Sequence, residues 1–311
     1  MKLAEQLGYG NDEVLLIINA DDYGLCHSVN QSVQQLLAAG AVSSATLMTP
    51  CAWAREAALW SASNKHLDVG VHFTFTSEWE PYKWGPVTTS GNVSSLVTEE
   101  GYFRAGTKAF EETADAGQVR LELISQLERA LSFGMTPTHA DNHMGSLYGL
   151  ATGRHFLTEV LEVCAEYGLP FRLPRYVTPE QGGIAPPEME EQAKAIAALA
   201  DAKGVVILDY LVGLPFHKGE EETYDSFKAD MKHLLASLKP GVTELIIHPS
   251  LAAEELDAFH AQPEKRVMEH HLFLDEDMTA YMKERGITLI RWRELQQLQR
   301  GKKAKGQSQA F

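Results

Sequence analysis

The sequence predicts an α/β fold whose parallel sheet curls into a barrel. Three observations point there. Short, nearly continuous apolar runs recur along the chain, as expected for strands buried on both faces. Amphipathic stretches of helical spacing separate most of them, and these stop at glycine, as helix C-termini do. About seven or eight such units favour a closed barrel over an open sheet.

The strand-like runs are VLLIIN (14–19), SATLM (44–48), DVGVHF (68–73), TPTHAD (136–141), PFRL (170–173), GVVIL (204–208), ELIIH (244–248) and ITLIR (287–291). DVGVHF and TPTHAD read equally well as loop on pattern alone. SVNQSVQQLLAAG (28–40) opens with a capping box from Ser28 to Gln31 and stops at Gly40. QVRLELISQLERALSFG (118–134) stops at Gly134. Further helices are expected to end at Gly168, Gly204, Pro240-Gly241 and Gly286. Residues 75–110 form a long, aperiodic loop carrying Trp79, Tyr82, Trp84, Tyr102 and Phe103, too aromatic for disorder. With no repeat and no Gly/Ser/Pro linker, residues 1–300 read as one catalytic domain. The polar segment 301–311 reads as a flexible tail.

Composition narrows the function. Hydrophobic residues at 44% and charged residues at 22% are a normal globular balance, so a sizeable core is expected. A formal net charge of −15 repels phosphate backbones and anionic lipid, so neither nucleic acid nor a membrane is an expected partner. The chain shows no apolar run long enough to span a bilayer, and its first residues lack a signal-peptide core, which predicts a cytoplasmic protein. Cys26, Cys51 and Cys164 are too scattered for a disulfide framework or thiolate cluster and are expected as small buried side chains.

The unusual residues fall where strands end. Asp21 and Asp22 close the first run. His72 closes the third. His139, Asp141 and His143 lie in PTHADNH, Arg172 and Arg175 in PFRLPR, and His248 in ELIIHPS. In a parallel barrel the C-terminal strand ends share one face, where active sites gather. Any one of these histidines alone reads more simply as structural; their joint placement does not. Paired like charges are costly when buried, and a divalent cation would relieve that cost. One carboxylate oxygen and two imidazole nitrogens make a three-ligand shell with open positions.

The blocks IINADDYGLCHSVNQSV, VGVHFTFT, PTHADNH and TELIIHPS resemble, in this order, those of the YdjC-like carbohydrate deacetylases, the family that includes chitooligosaccharide deacetylase. The resemblance spans residues 14 to about 295. It implies a distorted (β/α) barrel related to polysaccharide deacetylases. It also implies one divalent ion, Mg2+ or Zn2+, and removal of an N-acetyl group from an amino sugar or short oligosaccharide. By the same resemblance Asp21 is the catalytic base, Asp22, His72 and His139 are the metal ligands, and His248 is the general acid. Arg172 orients Asp21, with Arg175 competing for that role. Tyr23, His143, Trp79 and Trp84 are expected at the substrate. The two tryptophans either stack on a sugar ring or pack as the loop's own small core. Family members often form dimers, which extends the expectation to a homodimer. Where the family often continues with histidines after this block, Gly145 and Leu147 stand here, so a different substrate pocket is expected. Two rivals remain: a metal-dependent esterase or phosphoesterase on the same face, and a sugar-binding or regulatory protein without turnover.

Overall fold

A computed structural model describes residues 2–177 and 187–308. Seven strands form one sheet: β1 (Val14–Tyr23), β2 (Ser44–Leu47), β3 (Asp68–Phe73), β4 (Ala140–Asn142), β5 (Tyr210–Val212), β6 (Gly241–Ile247) and β7 (Ile287–Leu289). Their order is β4-β3-β2-β1-β6-β5, with β7 beside the start of β1, and every pairing is parallel. The sheet curls into a half-barrel. Irregular backbone spans its gap, through bridges from Ala140 to Phe171 and from Pro174 to Leu208.

That gap explains two departures from the sequence expectation. PFRL and GVVIL make ladder-like bonds, Phe171 N–H to the Val206 carbonyl and Leu208 N–H to the Leu173 carbonyl, but form no regular strand. Pro170 opens the first run and Pro174 follows it, and neither has an N–H to give a ladder. Regular pairing resumes only at β5. TPTHAD likewise narrows to Ala140–Asn142, after Pro137.

β1 shows why the run VLLIIN had no polar alternation. Leu16, Ile18 and Ala20 join the large cluster packed under the helices, whereas Leu15 and Ile17 join a second cluster with Val206, Val242 and Trp292. Both faces are buried, so both are apolar. The inward face then changes character along the strand: Leu15, Ile17, Asn19, Asp21. The same face of β6 also carries polar groups, Glu244 above Val242 and His248 just past its end, with Ile246 between them. The barrel is therefore plugged with hydrocarbon at one end and polar at the other.

Helices His27–Ala39, Ala116–Ser132, Leu157–Tyr167, Pro187–Lys203, Tyr224–Ala236 and Glu276–Glu284 lie where helical spacing placed them. Those at Ala54–Ser63, Pro263–Leu274 and Trp292–Ser308 were not read from the pattern. The last carries the backbone through part of the segment expected to be a tail; residues 309–311 lie outside the described residues. The Ser28–Gln31 capping box does not form. The N-cap lies two residues earlier, at Cys26, and the distant Glu255 carboxylate accepts the Ser28 N–H at 2.6 Å instead.

The aromatic segment is pinned rather than loose. Glu122, buried on helix Ala116–Ser132, accepts the N–H groups of Val87 and Thr88 and the Thr88 hydroxyl. Phe75, Phe103 and Phe110 pack with ring centroids 5.1–5.9 Å apart. All three cysteines are free and buried.

Candidate active site

Asp21 and Asp22 both reach the polar end of the barrel because β1 breaks its alternation there. Neighbouring strand residues normally face opposite ways. Pairing with β2 shifts register between Ala20 and Tyr23, and Asp22 adopts φ 62°, the left-handed region that aspartate tolerates better than most residues. Asp21 continues the inward face of Asn19, whose Nδ2 donates to Asp21 Oδ1 at 2.8 Å. Asp22 is swung to join it.

Arg172 and Arg266 hold the two carboxylates. Arg172 is buried and grips Asp21 with two parallel bonds, Nη1 to Oδ2 at 2.7 Å and Nη2 to Oδ1 at 2.6 Å. Its Nη2 also lies 2.8 Å from Asp141 and 2.9 Å from Glu244. Arg175 pairs with Asp201 on the outside, so Arg172 is the arginine that orients Asp21. Burial alone would raise the Asp21 pKa, but Arg172 and His72 outweigh it and keep Asp21 ionised. Arg266, from helix Pro263–Leu274, donates to Asp22 Oδ2 at 2.6 Å. Asp22 Oδ1 is buried with no hydrogen-bond partner.

That bare oxygen faces two imidazoles. His72 Nε2 lies 3.5 Å from it and His143 Nδ1 lies 3.3 Å from it. Ligands about 2.0–2.2 Å from a tetrahedral ion sit about 3.3–3.6 Å from one another. Each ring is aimed by a carboxylate on its other nitrogen: His72 Nδ1 is 2.6 Å from Asp141 Oδ1, and His143 Nε2 is 3.1 Å from Glu78 Oε2. Carboxylate–histidine pairs of this kind fix the tautomer at metal sites. Burial opposes charge on both rings. Asp141 and Asp21 outweigh it at His72, raising its pKa to about 10, and Glu78 and Asp22 do so at His143, raising it to about 9. Metal-free, the site thus gathers positive charge by protonation where a cation could supply it. The residues fit a divalent ion bound by Asp22, His72 and His143. A second group with ligand atoms within 4.8 Å, Asp21, His72 and Asp141, shares His72 and is already bound by Arg172.

Five expected site residues stand elsewhere than expected. His139 belongs to neither group: it lies beneath the site, Nε2 3.2 Å from Asn19 and Nδ1 3.0 Å from Thr138, stacked on Trp292 at 4.8 Å. Burial keeps it neutral. Gly70 makes room for it, since a Cβ there would sit 2.7 Å from its ring. His143, expected at the substrate, instead stands with Asp22 and His72, its Nδ1 3.3 Å from Asp22 Oδ1. Tyr23 points away, its hydroxyl donating to the Ala57 carbonyl at 3.2 Å, because the turn at Asp22 reverses its side. Trp84 is no sugar platform: it is 3% exposed, and its Nε1 donates to the Thr76 carbonyl at 2.8 Å. Trp79 is half-buried between Trp84, Phe259 and His260, so the loop's rings pack as their own core.

His248 stands beside Phe216 at the rim, its backbone N–H bonded to Glu269. Burial lowers its pKa to about 4, against the pull of Asp22 and Asp21. Sequence reasoning noted Asp141 without giving it a role and missed Glu78, Glu244, Arg266 and Glu269. Glu244 was detectable as an acid inside an otherwise apolar strand. Arg266 and Glu269 lie on an unread helix and left no such signal.

A parallel half-barrel with carboxylates, imidazoles and an orienting arginine at its C-terminal strand ends defines a class: barrel proteins with a hydrolase-like polar site able to hold a divalent ion. Comparison places the chain more closely. The family described as YdjC-like protein matches residues 15–284, and the chain belongs to it. A carbohydrate deacetylase of Thermoanaerobacter pseudethanolicus is 27% identical over 277 residues, covering 89% of this chain and 97% of its own. A chitooligosaccharide deacetylase of Yersinia enterocolitica is 33% identical over 182 residues, covering 55% of this chain and 64% of its own. A crystal structure from Enterococcus faecalis, described provisionally as a cellobiose-phosphate cleavage protein, superposes with a TM-score of 0.71 at 25% identity, over 91% of this chain and 99% of its own. Among the described residues no helix is long and apolar enough to cross a membrane.

Proposed function

We propose that this protein is a metal-dependent carbohydrate deacetylase that removes an N-acetyl group from an amino sugar or short oligosaccharide. The observation that carries this reading is the buried Asp22 Oδ1, without a well-formed hydrogen bond, 3.3–3.5 Å from two carboxylate-aimed imidazole nitrogens. The names of the relatives supply the reaction class. Two nitrogens and one oxygen suit Zn2+ better than Mg2+, which prefers oxygen throughout. A bound divalent ion would supply Lewis-acid polarisation of the acetyl carbonyl and activation of water.

The residues of this chain do the rest. Asp22, His72 and His143 hold the ion. Asp21, kept ionised and fixed by Arg172, accepts the proton of the attacking water. His248 gives a proton to the leaving amine. Burial keeps it neutral at first; as negative charge develops on the substrate its pKa rises, it takes up a proton from solvent at the rim, and it passes that proton to the leaving amine. A phosphoesterase reading finds no basic clamp to spare, since Arg172 and Arg266 each hold a carboxylate.

The test is acetate release from a panel of N-acetylated sugars, with and without chelator. Asp21→Asn is expected to lower kcat by about 10²–10⁴ with metal content unchanged. Near-wild-type turnover in that variant, or chelator-insensitive turnover in the parent, would overturn the mechanism.

A further inference from the structure

Strand β6, GVTELII, carries one ionisable side chain, Glu244, on its inward face. Glu244 pairs beside Ile17 of β1 and Leu211 of β5 and is fully buried. Its two oxygens are used unequally. Oε1 accepts from Arg172 Nη2 at 2.9 Å, and Oε2 is buried with no hydrogen-bond partner.

Arg172 Nη2 has two hydrogens. One bonds Asp21 Oδ1 at 2.6 Å and the other bonds Glu244. Asp141 Oδ2 lies 2.8 Å from the same nitrogen as an ion-pair partner. Three carboxyl groups thus meet one guanidinium, which cancels one negative charge. Asp21 takes both prongs of Arg172 and the Asn19 amide. Asp141 is supported by the Thr46 hydroxyl at 2.8 Å and by His72 at 2.6 Å. Glu244, among the described residues, has the Arg172 bond alone. A buried oxygen that no donor reaches disfavours the charged form, so Glu244 is the acid of the three that keeps its proton. Burial raises its pKa to about 7 against the pull of Arg172, and Asp141 and Asp21 add to the rise. The carbonyl oxygen of a neutral acid can hold the guanidinium without competing with Asp21 for its charge.

We infer that Glu244 is a positioning residue: as a neutral carboxylic acid it takes the second Nη2 hydrogen of Arg172 and so keeps the Arg172 fork closed on Asp21. This rests on the deacetylase reading, in which Asp21 is the base, and adds to it a residue that acts through Arg172.

The test compares the zinc-loaded parent, Glu244→Gln and Glu244→Leu. Glutamine keeps a neutral acceptor oxygen; leucine removes it. Glu244→Leu should lower kcat about ten- to a hundredfold, with KM and metal content unchanged, because the base is misplaced rather than lost. Glu244→Gln should retain most of kcat. In mildly acidic buffer, the infrared difference between parent and Glu244→Gln should contain the C=O stretch of a protonated carboxyl. Full kcat in Glu244→Leu would overturn the positioning role. A Glu244→Gln variant as impaired as Glu244→Leu, or a parent without that band, would overturn the neutral acid. If no sugar releases acetate, the deacetylase reading fails on its own. The band and a crystal structure of Glu244→Leu then decide this proposal: an Arg172 fork drawn from Asp21 toward Asp141 supports it, and a fork still closed on Asp21 overturns it.

Discussion

His139, just before β4, lies flat on Trp292, neutral, bonded to an amide and a hydroxyl. His143, just after β4, lies between two carboxylates and is driven toward its charged form. They are four positions apart, and both fall on the inward parity of the strand. Depth accounts for the difference. A strand rises about 3.3 Å per residue, so His139 sits about 7 Å below Asp141, in the layer of Asn19 and Trp292. His143 sits above Asp141, where the chain turns toward Glu78. Residue type alone says little about a histidine; its height in the barrel sets whether it is packing or chemistry.

The sharpest break of this comparison exchanges the two losses. His143→Ala should abolish metal binding, a larger effect than the ten- to hundredfold typical of outer partners, while leaving the fold intact. His139→Ala should cost about 2–4 kcal/mol of stability yet keep full metal content. Metal analysis and thermal unfolding of both variants decide it; full metal occupancy in His143→Ala would return His139 to consideration as a ligand.

Proton linkage sharpens the charge half of the comparison. His72 and His143 have folded pKa values of about 10 and about 9, above the ordinary 6.5. In metal-free protein their charge therefore stabilises the fold. That contribution is full below about pH 6.5 and is lost as pH rises through about 9 to 10. Metal affinity runs the other way, because each ligand nitrogen must shed a proton. It should rise about a hundredfold per pH unit while both rings are charged. Calorimetry near pH 7 in buffers of different ionisation enthalpy should show release of about two protons. Release near zero would contradict the ligand assignment.

The smallest expected effect concerns the carboxylate behind His143. Glu78→Gln keeps the shape and removes the charge, so metal affinity should fall about ten- to a hundredfold with little change in melting temperature. Unchanged affinity would make Glu78 a passive neighbour.

Much of this architecture was legible because strand burial writes itself into residue order. DVGVHF coincides with β3, and the continuous apolar run of β1 reports its two buried faces. The approach of Asp21, His72 and Arg172 was also foreseeable, because each closes or follows a strand-like run. The choice between His139 and His143 was not, since alternation gives the face of a strand residue but not its depth, and Pro137 hid where β4 begins. The left-handed turn at Asp22 was equally hidden: aspartate adopts that conformation without requiring it, and only its fit against Arg266 and the imidazoles selects it. Trp84 misled because an aromatic residue in a long segment has the same sequence appearance whether it faces a ligand or its own neighbours.

The gradient along the inward face of β1, from Leu15 through Ile17 and Asn19 to Asp21, has a practical consequence. Thermal hardening and substrate engineering can be assigned to separate storeys of the barrel. Exchanges around Leu15, Ile17 and Val242 repack a hydrocarbon foundation, and the reactive ceiling is insulated from them by the single amide layer of Asn19.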